Sequence, residues 1–145
     1  MNRAVQGVLS PVDKVLCLQS VDVFKYATTE MLAYIGSIAG EVHATRNEVL
    51  FREGDVSYAM YVVVKGRVHL DKEGKEVMTV GDCESFGTWA LFDNQPRLMT
   101  ATAVEDVHLL EIRSEDFYDL LADHDEITPA IFKAIIERVK GLITD

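Results

Sequence analysis

The sequence is short of several things, and each shortage excludes something. It holds only two cysteines, Cys17 and Cys83, far apart and in no CxxC spacing. A disulfide-stapled scaffold and a thiolate zinc site are therefore both disfavoured. Both cysteines are expected as reduced thiols, Cys17 on an apolar helix face and Cys83 in a loop. No run approaches the ~20 apolar residues that a membrane-spanning helix needs, and Met1 to Pro11 lacks the apolar core of a secretory signal. Cations are scarce, with 14 Lys and Arg against 24 Asp and Glu, a net charge of −10. Such a surface repels nucleic-acid backbones, so neither nucleic-acid binding nor membrane insertion is expected of this chain. The expected setting is the cytoplasm, alone or as the soluble part of a larger, membrane-linked protein.

Catalytic signatures are missing too. His43, His69, His108 and His124 are scattered, with no H-x-H pair to hold a metal. His69 and His108 fall in strand-like runs between apolar neighbours and are expected to face solvent. No GxSxG, Cys–His pair or phosphate-binding glycine loop of the NTPase kind occurs. Glu115 and Asp116 fit the first turn of a helix without any catalytic role. Neither an enzyme, a metal nor a resident cofactor is expected.

What remains is one domain's worth of chain, 145 residues without a linker or repeat, expected to fold as a single unit over 1–145. Ser10-Pro11 marks a helix start. Thr28 or Thr29 opens a second helix, which Gly40 is expected to end. From Val42 the apolar period shortens to that of strands. Runs at 49–51, 58–64, 67–70, 77–80, 99–104 and 107–112 alternate with glycine turns, the pattern of a closed or sandwiched antiparallel barrel. Ser114 is expected to cap a third helix, and a fourth spans about 126–142 with Ile127, Ile131, Ala134, Ile135 and Val139 along one stripe. The expected parts are N-terminal helices over 10–40, a β-barrel over 41–112 and a C-terminal helix pair over 113–145.

The chemistry-bearing segment lies between the strands ending at Val80 and starting near Met99. Phe86-Gly87 leads into Thr88-Trp89-Ala90-Leu91, enough for one helical turn whose free N–H groups form an anion cradle. Arg97 follows Pro96 at the entrance to the next strand, where its guanidinium can fork onto the same anion. By spacing alone, a barrel connection with a surface arginine explains these residues better.

The segment resembles the phosphate-binding cassette of the cyclic-nucleotide-binding domain family, F-G-E-x-A-L, a spacer, then P-R-x-A-T. Phe86-Gly87, Ala90-Leu91, Pro96-Arg97 and Thr100 stand in register with it. LFREGD at 50–55, YVVVKGRVHL at 61–70 and VEDVHLLEIRSEDF at 104–117 resemble the family's strands and turns, and the match runs over roughly 20–145. The resemblance implies a mainly β fold with flanking α-helices, an antiparallel jelly-roll β-barrel of the cupin-like double-stranded β-helix kind. It implies that amides at Gly87, Thr88 and Ala90 hold a cyclic phosphate opposite Arg97. The last helix, around 131–142, would close over the base, with Arg138 or an apolar neighbour as lid.

The sequence departs from the pattern at four places. Thr88 replaces the glutamate that accepts the ribose 2′-OH, weakening a charge-assisted bond of ~1.5–3 kcal/mol. Leu98 offers no hydroxyl for a guanine amino group, which argues against cGMP. Met99 replaces a small residue and adds bulk beside the pocket, and Trp89 is large for its position. Two functions are therefore expected. One is a regulatory module sensing cAMP or a related small phosphate and relaying it through the last helix. The other is a degenerate domain that no longer binds nucleotide and serves protein interaction or oligomerisation. The expected partners are a nucleotide ligand, with a second copy or a parent-protein domain along the last helix.

Overall fold

A computed structural model describes residues 2–3 and 9–143; both ends of the expected 1–145 unit lie outside the described residues. The chain opens with β1 (Asn2–Arg3) and α1 (Pro11–Leu18). The Ser10 side chain accepts from Asp13 N–H and the Asp13 carboxylate returns the bond to Ser10 N–H, a capping box with Pro11 at the first helical position. A 3₁₀ turn at Asp22–Phe24 buries Val23 and Phe24. α2 (Thr29–Ile38) is capped by Thr28. Gly40 does not cap it: the chain turns extended at Ala39, and Gly40 is already the first residue of β2 (Gly40–Ala44).

The strands that follow are β3 (Val49–Phe51), β4 (Ala59–Lys65), β5 (Val68–Lys72), β6 (Lys75–Val80), β7 (Ser85–Phe86), β8 (Thr100–Ala103) and β9 (Val107–Arg113). They form two antiparallel sheets, ordered β1-β2-β9-β4-β7 and β3-β8-β5-β6. The wiring, which crosses repeatedly between sheets, is that of a jelly roll. Of the expected closed or sandwiched barrel the sandwiched form is present: among the described residues no ladder joins one sheet to the other.

β4 explains its own unbroken apolar run. Met60 and Val62 point into a cluster with the helices, containing Leu18, Phe24, Ile35 and Phe117. Tyr61 and Val63 point the other way, between the sheets, against Leu70, Phe86 and Ala101. A strand covered on both faces has no polar side to show.

α3 (Ser114–Asp123) starts one residue earlier than expected, with Arg113 as the extended cap. Ser114 does not cap it; its N–H and hydroxyl both donate to Tyr58 O, pinning the helix to the start of β4. α4 (Ile127–Ile143) buries Ile127, Ile131 and Ala134 against the helical cluster. Its outer face is tied to the Asp22–Phe24 region by Lys25–Glu137 at 2.8 Å, a Tyr26–Glu137 hydrogen bond and Arg138–Asp22 at 3.5 Å.

Candidate functional site

Arg97 is fixed first through its backbone. Its N–H donates to Asp55 O and its carbonyl accepts from Gly54 N–H, both at 2.9 Å. The Gly54-Asp55 turn, with Gly54 at φ +85° and Arg52 N–H bonded to the Asp55 carboxylate, thus clamps the arginine in place. The Thr100 hydroxyl accepts from Glu53 N–H on the other side of the turn. Two motifs half a domain apart in sequence build one support.

The Arg97 side chain then runs inward and is only 7% exposed. Its guanidinium lies 4.0 Å from the Phe51 ring centroid and donates through Nη2 to Ala59 O at 2.6 Å. Its Nε is buried without a partner among the described residues. Burial pushes the guanidinium below its usual range, offset by Tyr61, Tyr58, Asp55 and Glu111; it nonetheless stays cationic at neutral pH. A buried cation with an unsatisfied donor is costly unless something anionic completes it.

Opposite it stands the cassette. Gly87 has φ +67°, a left-handed conformation, and a Cβ built on it would lie 2.6 Å from Arg97 Nη1. Glycine is required there twice over, for the backbone and for the close approach. Residues Thr88–Leu91 form a 3₁₀ turn. The Ala90 N–H closes it by donating to Gly87 O at 3.1 Å, so the amides left without a partner inside the turn are those of Thr88 and Trp89. The Thr88 hydroxyl lies 3.3 Å from the Ser85 hydroxyl.

Between cradle and cation lies a cavity of about 630 Å³, within the range of small-molecule sites. All nine expected residues line it: Phe86, Gly87, Thr88, Trp89, Ala90, Arg97, Leu98, Met99 and Arg138. Their positions differ greatly. Phe86 is core, its ring stacked on Tyr61 at 5.3 Å. Leu98 is exposed at the rim, and Met99 packs partly onto the inter-sheet cluster. Trp89 is 43% exposed, with the Arg138 guanidinium 5.2 Å from its ring. That contact brings α4 to the cavity edge, whereas Ile131 points into the helical cluster.

Sequence reasoning missed Phe51, Ser57, Leu70, Met78, Ser85, Asp93 and Gln95, which also line the cavity. Phe51 had a signal, lying inside the LFREGD motif. Ser85, Asp93 and Gln95 lie within or beside the Phe86–Arg97 segment, whereas Ser57, Leu70 and Met78 become neighbours only through the fold. His108 is corrected: its Nε2 lies 2.8 Å from a Glu41 carboxylate oxygen and its ring stacks on His43 at 4.3 Å, so it does not face solvent. No cluster able to hold a metal occurs among the described residues, and no helix there is long and apolar enough to cross a membrane.

Residues 41–124 match the profile of the family described as the cyclic nucleotide-binding domain. The chain belongs to that family. The N-terminal domain of a transcriptional regulator from Streptomyces coelicolor superposes with a TM-score of 0.83 at 30% identity, covering 87% of this chain and 94% of that one. The regulatory domain of Toxoplasma gondii PKA, crystallised with cAMP, superposes at 0.72 with 26% identity, over 82% of this chain and 47% of that one. A lysophospholipase from Neurospora crassa is 32% identical over 120 residues, 79% of this chain but 8% of that protein. The chain thus spans under a tenth of the length of that relative. The span matched to the cyclic nucleotide-binding domain family contains both Arg97 and the Thr88–Leu91 turn.

Proposed function

We propose that this chain is a regulatory module that binds cAMP, in preference to cGMP, or a closely related small phosphate, and relays the event through α4. The observation that carries this reading is Arg97, buried beside the Gly87 backbone with its Nε unpaired. A singly charged cyclic phosphate seated between Arg97 and the Thr88 and Trp89 amides would complete that cation locally, despite the protein's net negative charge. The neutral Ser85–Thr88 hydroxyl pair meets the sugar in place of a carboxylate, which supports a weaker ribose contact than the family pattern implies. Arg138 stacked on Trp89 links the cavity rim to α4, so a base lying against Trp89 would alter the packing of that helix. The chain itself performs no reaction in this reading; it senses.

The test is calorimetric titration with cAMP and with cGMP, on the wild type and on a Thr88→Glu, Met99→Ala double variant. Binding of cAMP is expected in the wild type, tighter in the double variant, with cGMP weaker in both. Silence of both proteins towards millimolar cAMP overturns the reading. One observation favours a second role as an interaction module. Phe132, Ile136, Val139 and Ile143 are exposed along one side of α4, a 4-3-4 spacing suited to a helix partner. In that reading α4 meets a second copy or a domain of a larger protein, and sedimentation of Ile136→Asp against wild type tests it.

A further inference from the structure

Cys17 and Cys83, distant in sequence, meet in the fold at one carbonyl. The Cys17 Sγ lies 3.8 Å from Val63 O as a thiol donor, and Cys83 N–H donates to that same oxygen at 2.6 Å. The two thiols are near enough to influence each other across that carbonyl. Cys17 projects from α1 and is buried, whereas Cys83 is partly exposed and packs on the cluster that contains Cys17. Cys83 itself holds a left-handed φ of +63°, in the loop four residues before Gly87. Both cysteines are free.

We propose that Cys17 and Cys83 form an oxidation site, at which a peroxide converts the thiol pair to an intrachain disulfide that staples α1 to the loop leading into the cassette. Cys83 is the group a peroxide can reach. Its thiolate sulfur attacks one peroxide oxygen, the O–O bond breaks, and the departing hydroxide takes a proton to leave as water, giving a Cys83 sulfenic acid. The Cys17 sulfur then attacks the Cys83 sulfur, the S–O bond breaks, and the hydroxyl leaves as a second water with the Cys17 proton. Two thiols are oxidised, one peroxide is reduced, and two waters form. Burial, with Cys83 and the Asp82 carboxylate nearby, pushes the Cys17 thiol up to about 12. Exposure assigns the order of events: the partly exposed Cys83 reacts first, and the buried Cys17 follows, giving up its proton to the departing hydroxyl as its sulfur attacks. Nothing in this step depends on whether the cavity binds a nucleotide.

The test treats the folded, reduced protein with hydrogen peroxide and reads intact mass, thiol titration after denaturation, and crosslinked peptides. The wild type is expected to lose two hydrogens and both titratable thiols. It should also yield a Cys17–Cys83 peptide pair and return to the starting mass with dithiothreitol. Cys17→Ser should stop at a Cys83 sulfenic acid captured by a 1,3-dione, and Cys83→Ser should leave Cys17 unoxidised under the same conditions. The site is overturned if folded wild type keeps both thiols, if Cys83 accumulates sulfinic acid without a bond, if bonds form only between chains, or if the pair closes only in urea.

Discussion

Arg97 is held at both ends, its backbone by the Gly54-Asp55 turn and its guanidinium by Ala59 O and the Phe51 face. Removing it should therefore affect ligand far more than fold. Arg97→Ala is expected to weaken cAMP binding by ~2–4 kcal/mol, as truncating one partner of a buried charge pair does, measured by titration calorimetry. Gly87→Ala acts differently. It forces a Cβ to 2.6 Å from the Arg97 guanidinium and a side chain into a left-handed backbone, so a loss of ~1–3 kcal/mol in urea unfolding is expected. A third residue reports through pH. The folded Cys17 thiol is raised from 9.0 to about 12, so above pH 9 the unfolded chain loses a proton that the folded one keeps. Stability contributed by keeping Cys17 protonated is therefore whole below pH 9 and lost between pH 9 and 12. Urea midpoints measured under reductant should fall across that window, and Cys17→Ser, which does not ionise there, should reduce the fall.

At the scale of elements, α4 has two sides with different consequences. Ile131 is buried in the helical cluster while Ile136 is 47% exposed. Ile131→Ala is expected to cost ~2–4 kcal/mol, and Ile136→Ala within ~0.5 kcal/mol, compared by urea denaturation. The apolar stripe in the sequence placed α4 within a residue at each end, because a 3.6 period over seventeen residues is a strong signal. The stripe also named Ile127, Ile131, Ala134 and Ile135 on the inward side, where they lie, but Val139 at its far end is 49% exposed. The caps divide in the same way. Ser10 and Thr28 cap as read, but Ser114 bonds to Tyr58 O and Gly40 enters β2, because strand pairing there outweighed local cap chemistry. The cassette was legible from spacing and resemblance. Its depth was not: the burial of Arg97 depends on Phe51 and Ala59, brought to it by β3 and β4. The meeting of Cys17 with Cys83 left no trace in the sequence, because it arises from α1 packing across β4.

Over the whole molecule, turn spacing located six of the strands, whereas β1, β2 and β7 and the division into two sheets depended on pairing between distant segments. The net charge of −10 sets a further expectation. A cyclic phosphate approaches against a repulsive field that salt screens, whereas its bound contacts to Arg97 are buried and little screened. The association rate for cAMP, followed by stopped-flow, should therefore rise between 20 mM and 500 mM salt, as the Debye length shortens from about 20 Å to about 4 Å. The central claim is that the Thr88 and Trp89 amides and Arg97 together hold an anion, and amide-resolved NMR during a cAMP titration tests it most directly. The account predicts that the Gly87, Thr88 and Trp89 resonances shift in the wild type and stay still in Arg97→Ala. Shifts confined to other surfaces, or unchanged by loss of Arg97, would contradict it.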